Sequence, residues 1–249
     1  MNSSIYFNHT DQERAVPVPR RLHGPSEQSY QYQLGINVSE MLARCLTHTG
    51  PVKILDIGGY HALATSDMID SLSPKGKSAE VTIIDLPEDR NKKVKRSQNT
   101  VFLGGDLNDE LFLKSLTQSI PKQQVMFMNQ VTQYLHDRLG VIKFFFDEIL
   151  ETEGSFYVNI LSESFIQGSN FPESLIFEAM EHLWEGAPGV SLKKSQVSMG
   201  RKITHQYQLR KTSEDARLPV PTLKYSKDDP ITESLIYVKS AYNFLEIRE

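Results

Sequence analysis

The chain holds one cysteine, Cys45, so no disulfide can close within it, and a solitary thiol suits a reducing compartment. Cys45 follows Leu42 and Ala43 in an apolar helical pattern with no neighbouring His or Asp, which reads as a buried structural thiol and not a nucleophile. No run approaches the roughly 18 apolar residues of a membrane-crossing helix. The opening stretch MNSSIYFNHTDQER carries no apolar segment of signal-peptide length. The expectation is a cytoplasmic protein without membrane contact. Charge of one sign is also lacking. Lys and Arg number 27 against 31 Asp and Glu, for a net charge of −4, which argues against a nucleic-acid partner. The densest basic cluster, Lys92, Lys93, Lys95 and Arg96, reads as a solvated helix face. The 7 histidines show no H-x-x-x-H pairing, so no metal is expected, and neither G-x-S-x-G nor a phosphate loop occurs.

What is present is an alternation. A length of 249 residues with 39% hydrophobic and 23% charged content suits one α/β domain with a modest appendage. Residues 1–26 read as an arm punctuated by Pro17, Pro19 and Pro25, and 27–48 as a helix carrying Ile36, Val38, Met41 and Leu42. Apolar β-rich runs follow at 52–57, 81–86, 100–103, 124–129 and 155–161, with helical segments at 61–73, 88–97, 108–119 and 137–152 between them. A further helix is expected at 172–186, and 195–211 reads as two strands around Met199 and Gly200. Strands alternating with helices predict an open, mostly parallel Rossmann-like sheet with helices on both faces. The antiparallel strand pair falls near the C-terminus. Residues 1–50 form an arm and helix that could cap the active site. Residues 51–249 form the main domain, with a cofactor half at 51–161 and an acceptor-side half at 162–249.

The carboxyl ends of the predicted strands gather polar groups: Asp56 with Gly58 and Gly59, then Asp85, then Gly104-Gly105-Asp106, then Asn129. In an open parallel sheet that edge is the ligand crevice. A dinucleotide would place pyrophosphate over a G-x-G-x-x-G turn. Here the turn is D-I-G-G-Y-H-A, and its acidic neighbours disfavour a polyanion. They favour a ligand with positive charge, ribose hydroxyls and a purine but no phosphate, and S-adenosylmethionine has those features.

Residues 52–161 resemble a class I S-adenosylmethionine-dependent methyltransferase. ILDIGGYHA resembles its first motif, VTIIDLP the second, VFLGGDLND the third and VMFMNQVTQYLHD the fourth. Asp85-Leu86-Pro87, the later Gly-Asp and Val131–Leu135 resemble the small-molecule O-methyltransferase branch in particular. The resemblance implies S-adenosyl-L-methionine as cofactor. Asp56, Gly58 and Gly59 would face its methionine moiety, Asp85 with Leu86 its ribose, Asp106 with Leu107 its adenine, and Asn129 its sulfonium end. Ala62 stands where the first motif has its third glycine, and Gln133 where that branch has a histidine base.

Methyl transfer from a sulfonium needs alignment and a dry site, and a base only if the acceptor is a neutral hydroxyl or ammonium. His136, Tyr134 and Glu163 are the candidate catalytic residues. His182 and His205 read as surface or packing histidines. Tyr30, Tyr32, Phe165, Phe171 and Trp184 read as core aromatics that could alternatively line an acceptor pocket. The expected activity is methyl transfer to a small-molecule acceptor, at oxygen. A catalytically silent methyltransferase-like protein acting through partners is the rival reading. A nucleotide-dependent oxidoreductase is a third, against which Asp56 counts. Oligomeric state stays open, with a homodimer among the arrangements.

Overall fold

The computed structural model describes residues 50–59, 78–86, 100–161, 173–199 and 202–220. The strands are β1 (Val52–Ile57), β2 (Ala79–Asp85), β3 (Thr100–Gly104), β4 (Gln123–Asn129), β5 (Leu150–Leu161), β6 (Val190–Met199) and β7 (Lys202–Lys211). They form one sheet in the order β3-β2-β1-β4-β5-β7-β6. The first five are parallel, and β7 runs antiparallel to both β5 and β6. The strand order reverses at β1, which starts an outward run toward β3 on one side and the jump to β4 on the other. A crevice at the carboxyl ends of β1 and β4 follows from that switch.

The sheet buries both faces, as a parallel sheet must. On one face Leu55, Ile57, Ile84, Met126, Met128, Phe156, Val158, Ile160, Tyr207 and Leu209 join a single hydrophobic cluster with the described helices. These are α1 (Glu110–Ser119), α2 (Arg138–Phe144) and α3 (Glu173–Glu185). Helix α1 starts at the N-cap Asp109, whose carboxylate accepts from the backbone N–H of Leu111 and Phe112. Asp137 caps α2 in the same way through Gly140. Trp184, Phe177 and Tyr207 pack ring against ring beneath α3, and the Trp184 indole N–H donates to Pro219 O at 3.0 Å. On the other face Ile54, Val81, Ile83, Val125 and Phe127 are also buried. The expected helices at 27–48, 61–73 and 88–97, and the 1–50 cap, lie outside the described residues.

Two expectations are corrected. The helix expected over 137–152 stops at Phe144, continues as a π-helical turn over Phe145–Ile149, and gives way to β5 at Leu150. The run LETEG is polar and glycine-bearing, but Gln123 pairs with Leu150 before the register shifts and resumes at Val125 with Ser155. Glu153, at φ 66°, takes up that irregularity. Likewise β6 starts at Val190, five residues before the expected Ser195, because Ser191, Leu192 and Lys193 pair with Arg210, Leu209 and Gln208.

Candidate functional site

The candidate site residues meet where the register predicts. Ile84, Ile57 and Met128 form one row across β2, β1 and β4. One residue further on, side chains turn to the opposite face. There lie Asp85, Gly58 and Asn129 as a second row, extended by Gly104 beside Asp85 and by Asn159, Gln206 and Ser195 beyond Asn129. From Asp85 to Gln206 this row crosses four strand spacings, roughly 19 Å at about 4.8 Å each.

The first turn is shaped by its two glycines. Gly58 adopts φ 72°, and its N–H donates to Ile84 O at 2.7 Å. A Cβ at Gly58 would overlap the Val131 Cγ2 methyl in the segment after β4. A Cβ at Gly59 would overlap the Asp56 carboxylate. Asp56 is 1% exposed, so the aspartate at the mouth of the turn is folded inward beneath Gly59. That burial does not fit an exposed turn residue.

Asp85 ends β2, and its Oδ1 accepts from the N–H of Leu86 at 2.7 Å. Its own carbonyl accepts from Gly105 N at 2.9 Å, which ties the β2 and β3 ends together. Leu86 is 39% exposed beside it. Gly105 leaves room for the Phe112 ring of α1, which a Cβ would strike. Asp106 follows, half-buried. Its Oδ1 accepts both the backbone N–H and the side-chain Nδ2 of Asn108, at 3.0 and 3.1 Å, and among the described residues no hydrogen bond falls on Oδ2. Leu107 turns into the core.

After β4 the chain passes through Gln130 at φ 57°, a left-handed conformation that costs a non-glycine residue of order 1–3 kcal/mol and gathers at functional sites. Gln130 N donates to Asn159 O at 3.0 Å. A 3-10 turn over Thr132–Tyr134 then carries Gln133 and Tyr134. Gln133 is half-buried, its Nε2 directed at Gln130 O at 3.5 Å. Tyr134 is 42% exposed, and His136 is half-buried with its backbone N–H donated to Asn108 Oδ1 at 2.8 Å. The structure therefore brings Asp56, Gly58, Gly59, Asp85, Leu86, Asp106, Asn129, Tyr134 and His136 to one edge of the sheet. Glu163, Tyr30, Tyr32, Phe165, Phe171 and the basic cluster lie outside the described residues.

Of the other histidines, His182 is exposed on α3. His205 is buried on the face that α3 covers, at Gln196 and Ile160 in register. Burial first, then the nearby Lys194 ammonium, hold its pKa below the usual histidine value, against the pull of Glu178 and Glu181. Beside it, burial and the Glu181 carboxylate push the Tyr207 phenol well above its ordinary value. Tyr207 donates to Glu181 at 2.9 Å and is a closed structural pair, as is Trp184. At the opposite edge of the sheet Lys211 Nζ donates to Asp147 O at 3.0 Å, and burial lowers its pKa.

Three features escaped the sequence reading. Asn108 joins the loop after β3 to the loop after β4. Val131 abuts Gly58. The buried amides Asn159 and Gln206 continue the polar row, and Gln206 Nε2 has no hydrogen-bond partner among the described residues, its Oε1 accepting from Ser195 at 2.8 Å. The available signal for Asn159 was an amide inside the apolar run SFYVNIL, and for Asn108 the D-x-N spacing of an Asx turn. Among the described residues no group of His, Cys, Asp and Glu could hold a metal ion, and no helix is long and apolar enough to cross a membrane.

No family model and no curated protein matches the sequence. Solved structures do. The plantazolicin methyltransferase BamL, in complex with a triazolic desmethylPZN analogue and SAH (S-adenosylhomocysteine), aligns with a TM-score of 0.54 at 12% identity over 82% of this chain and 92% of its own. The plantazolicin methyltransferase BpumL, with a monoazolic analogue and SAH, aligns at 0.52 and 13% identity over 75% and 87%. With the strand order, the antiparallel β7 and the polar crest at the carboxyl edge, the chain has the Rossmann-like fold of the class I methyltransferases.

Proposed function

We propose that this protein is an S-adenosylmethionine-dependent methyltransferase acting on an oxygen of a small-molecule acceptor. The observation that carries the reading is the row of Asp85, Gly58 and Asn129 at the topological switch point, with Asp106 presenting an unengaged Oδ2 at one end. These groups fit the ligand piece by piece. Asp85 accepts from ribose hydroxyls. Asp106 Oδ2 accepts from the adenine amine, beside the backbone around Leu107, and half-exposed Leu86 lies next to Asp85 on the ribose side. Gly58 and Gly59 let the backbone approach the methionine portion. Asn129 sits at the sulfonium end, and buried Asp56 holds the turn and contributes negative charge toward the ammonium. When bound, the cofactor supplies an activated methyl group on a sulfonium. The chain's own residues then orient the acceptor in line, exclude water and receive its proton. In-line alignment of the acceptor oxygen, and not activation of the donor, would be what these residues contribute.

His136 is the proposed base, with Tyr134 beside it and Glu163 on the acceptor side. Gln133 cannot take a proton, and its side chain is directed back to Gln130. An acceptor that ionises readily, such as a phenol or a carboxylic acid, relieves the demand on His136. BamL and BpumL were solved in complex with both a desmethylPZN analogue and SAH, which supports a fold able to hold a second small molecule together with the cofactor. The protein is proposed to be cytoplasmic, organised as a 1–50 cap and a 51–249 catalytic domain.

Calorimetric titration of the intact protein with S-adenosylhomocysteine tests the reading, beside Asp85→Ala. A charge-assisted hydrogen bond contributes about 1.5–3 kcal/mol, so the variant should bind roughly ten- to a hundredfold more weakly. Absence of binding by the intact protein overturns the enzyme reading. Binding without methyl transfer to any of a panel of phenols, carboxylic acids and amines favours the silent, partner-binding alternative.

A further inference from the structure

Asn108 has every polar atom of its side chain engaged, and with partners from two loops. Nδ2 donates to Asp106 Oδ1 at 3.1 Å and to Tyr134 O at 3.1 Å, while Oδ1 accepts from His136 N at 2.8 Å. Its backbone N–H adds a second bond to Asp106 Oδ1 at 3.0 Å. Residues 26 and 28 positions apart in sequence are thus clasped by one carboxamide. Two consequences follow from the geometry. With Oδ1 of Asp106 held by two N–H donors, the carboxylate cannot rotate without breaking both, so Oδ2 keeps one direction. The segment carrying Tyr134 and His136 is fixed by the same side chain, so its placement depends on that of Asp106.

We infer that Asn108 is a positioning residue that makes the protein selective for a 6-amino purine and couples occupancy of that purine site to the placement of the Tyr134–His136 segment. The inference rests on the methyltransferase reading above. Oδ2, held as a pure acceptor, suits a donor such as the exocyclic amine of adenine. It repels the carbonyl that hypoxanthine carries at the same place. An Asn at 108 does what an Asp or Ala cannot, because it offers donors to Asp106 and Tyr134 and an acceptor to His136 at once.

The test uses the full chain and two probes, S-adenosylhomocysteine and its hypoxanthine analogue S-inosylhomocysteine, titrated calorimetrically. The intact protein should prefer the adenine form about tenfold or more, the discrimination of one charge-assisted bond. Asn108→Ala should lose most of that preference by weakening the adenine form alone. In the intact protein S-adenosylhomocysteine should also slow amide hydrogen exchange over residues 132–137, and at saturating ligand the variant should lose that protection. Asn108→Ser serves where the alanine variant does not fold, since it keeps a short hydroxyl on the same loop. Equal binding of the two probes by the intact protein overturns the inference. So does an equal loss of both in the variants, or ligand protection at 132–137 that survives them. If the intact protein binds neither probe, the methyltransferase reading itself fails.

Discussion

Gly58→Ala separates a positional requirement from general dislike of substitution. The native φ of 72° lies in the left-handed region, which costs an L-residue roughly 1–2 kcal/mol. The added methyl would also overlap Val131, chiefly its Cγ2. Valine is stiff about χ1, so the overlap is relieved by backbone shift, and overpacking of this kind costs typically 1–3 kcal/mol. Together they give about 3 kcal/mol. For a chain of this size that corresponds to a fall in Tm of roughly 6–12 °C. The diagnostic is the partner. Val131→Ala makes room, so the double variant should recover about 1–2 kcal/mol relative to the sum of the singles, while the conformational part stays lost. Urea unfolding of the four proteins closes the cycle. Additivity within about 0.5 kcal/mol would refute the claim that Gly58 is required by the approach of the β4 loop. The residue would then be there for its φ alone.

Gly59→Ala should overlap the Asp56 carboxylate and weaken S-adenosylhomocysteine by at least tenfold with a smaller loss of stability, measured by calorimetry beside thermal unfolding. Lys211→Met should behave in the reverse sense: its Nζ bond to the Asp147 carbonyl lies at the far edge of the sheet, so stability falls by about 1–3 kcal/mol and ligand affinity stays within twofold. Trp184→Phe keeps a ring against Phe177 and Tyr207 but leaves Pro219 O without its donor, for a loss of about 1 kcal/mol, read from denaturant midpoints. The pH dependence follows His205. Its folded pKa is lowered by burial and by Lys194, against Glu178 and Glu181, so the unfolded chain binds its proton first as pH falls. The neutral imidazole's advantage is complete above the unfolded value near 6.5 and is lost as pH drops through the folded one. Between pH 7.5 and 5 the intact protein should therefore lose more stability than His205→Leu, and equal losses would remove His205 from the account.

The strands were legible because burial on both faces forces near-continuous apolar runs, and five such runs in order leave few topologies. The acids at their ends were legible because aspartate after a β-rich run has no packing reason to be there. What stayed hidden depends on register, which no single segment carries. Asn129, Asn159 and Gln206 lie far apart in sequence and become one row only when β4, β5 and β7 pair. The early start of β5 was hidden for a related reason. LETEG reads as a helix end or a turn, and only the pairing of Leu150 with Gln123, with Glu153 taking the positive φ, makes it strand. Asp56 shows the limit in a sharper form. Its charge was legible and suggested a group facing the ligand, whereas its burial under Gly59 makes it first a device for shaping the turn. The apparent conflict between an acid and a glycine-rich loop then disappears. Under the proposed function, a buried carboxylate beneath the turn would disfavour phosphate and suit a cationic amino-acid end, so the residue that shapes the loop would also bear on the class of ligand the loop takes.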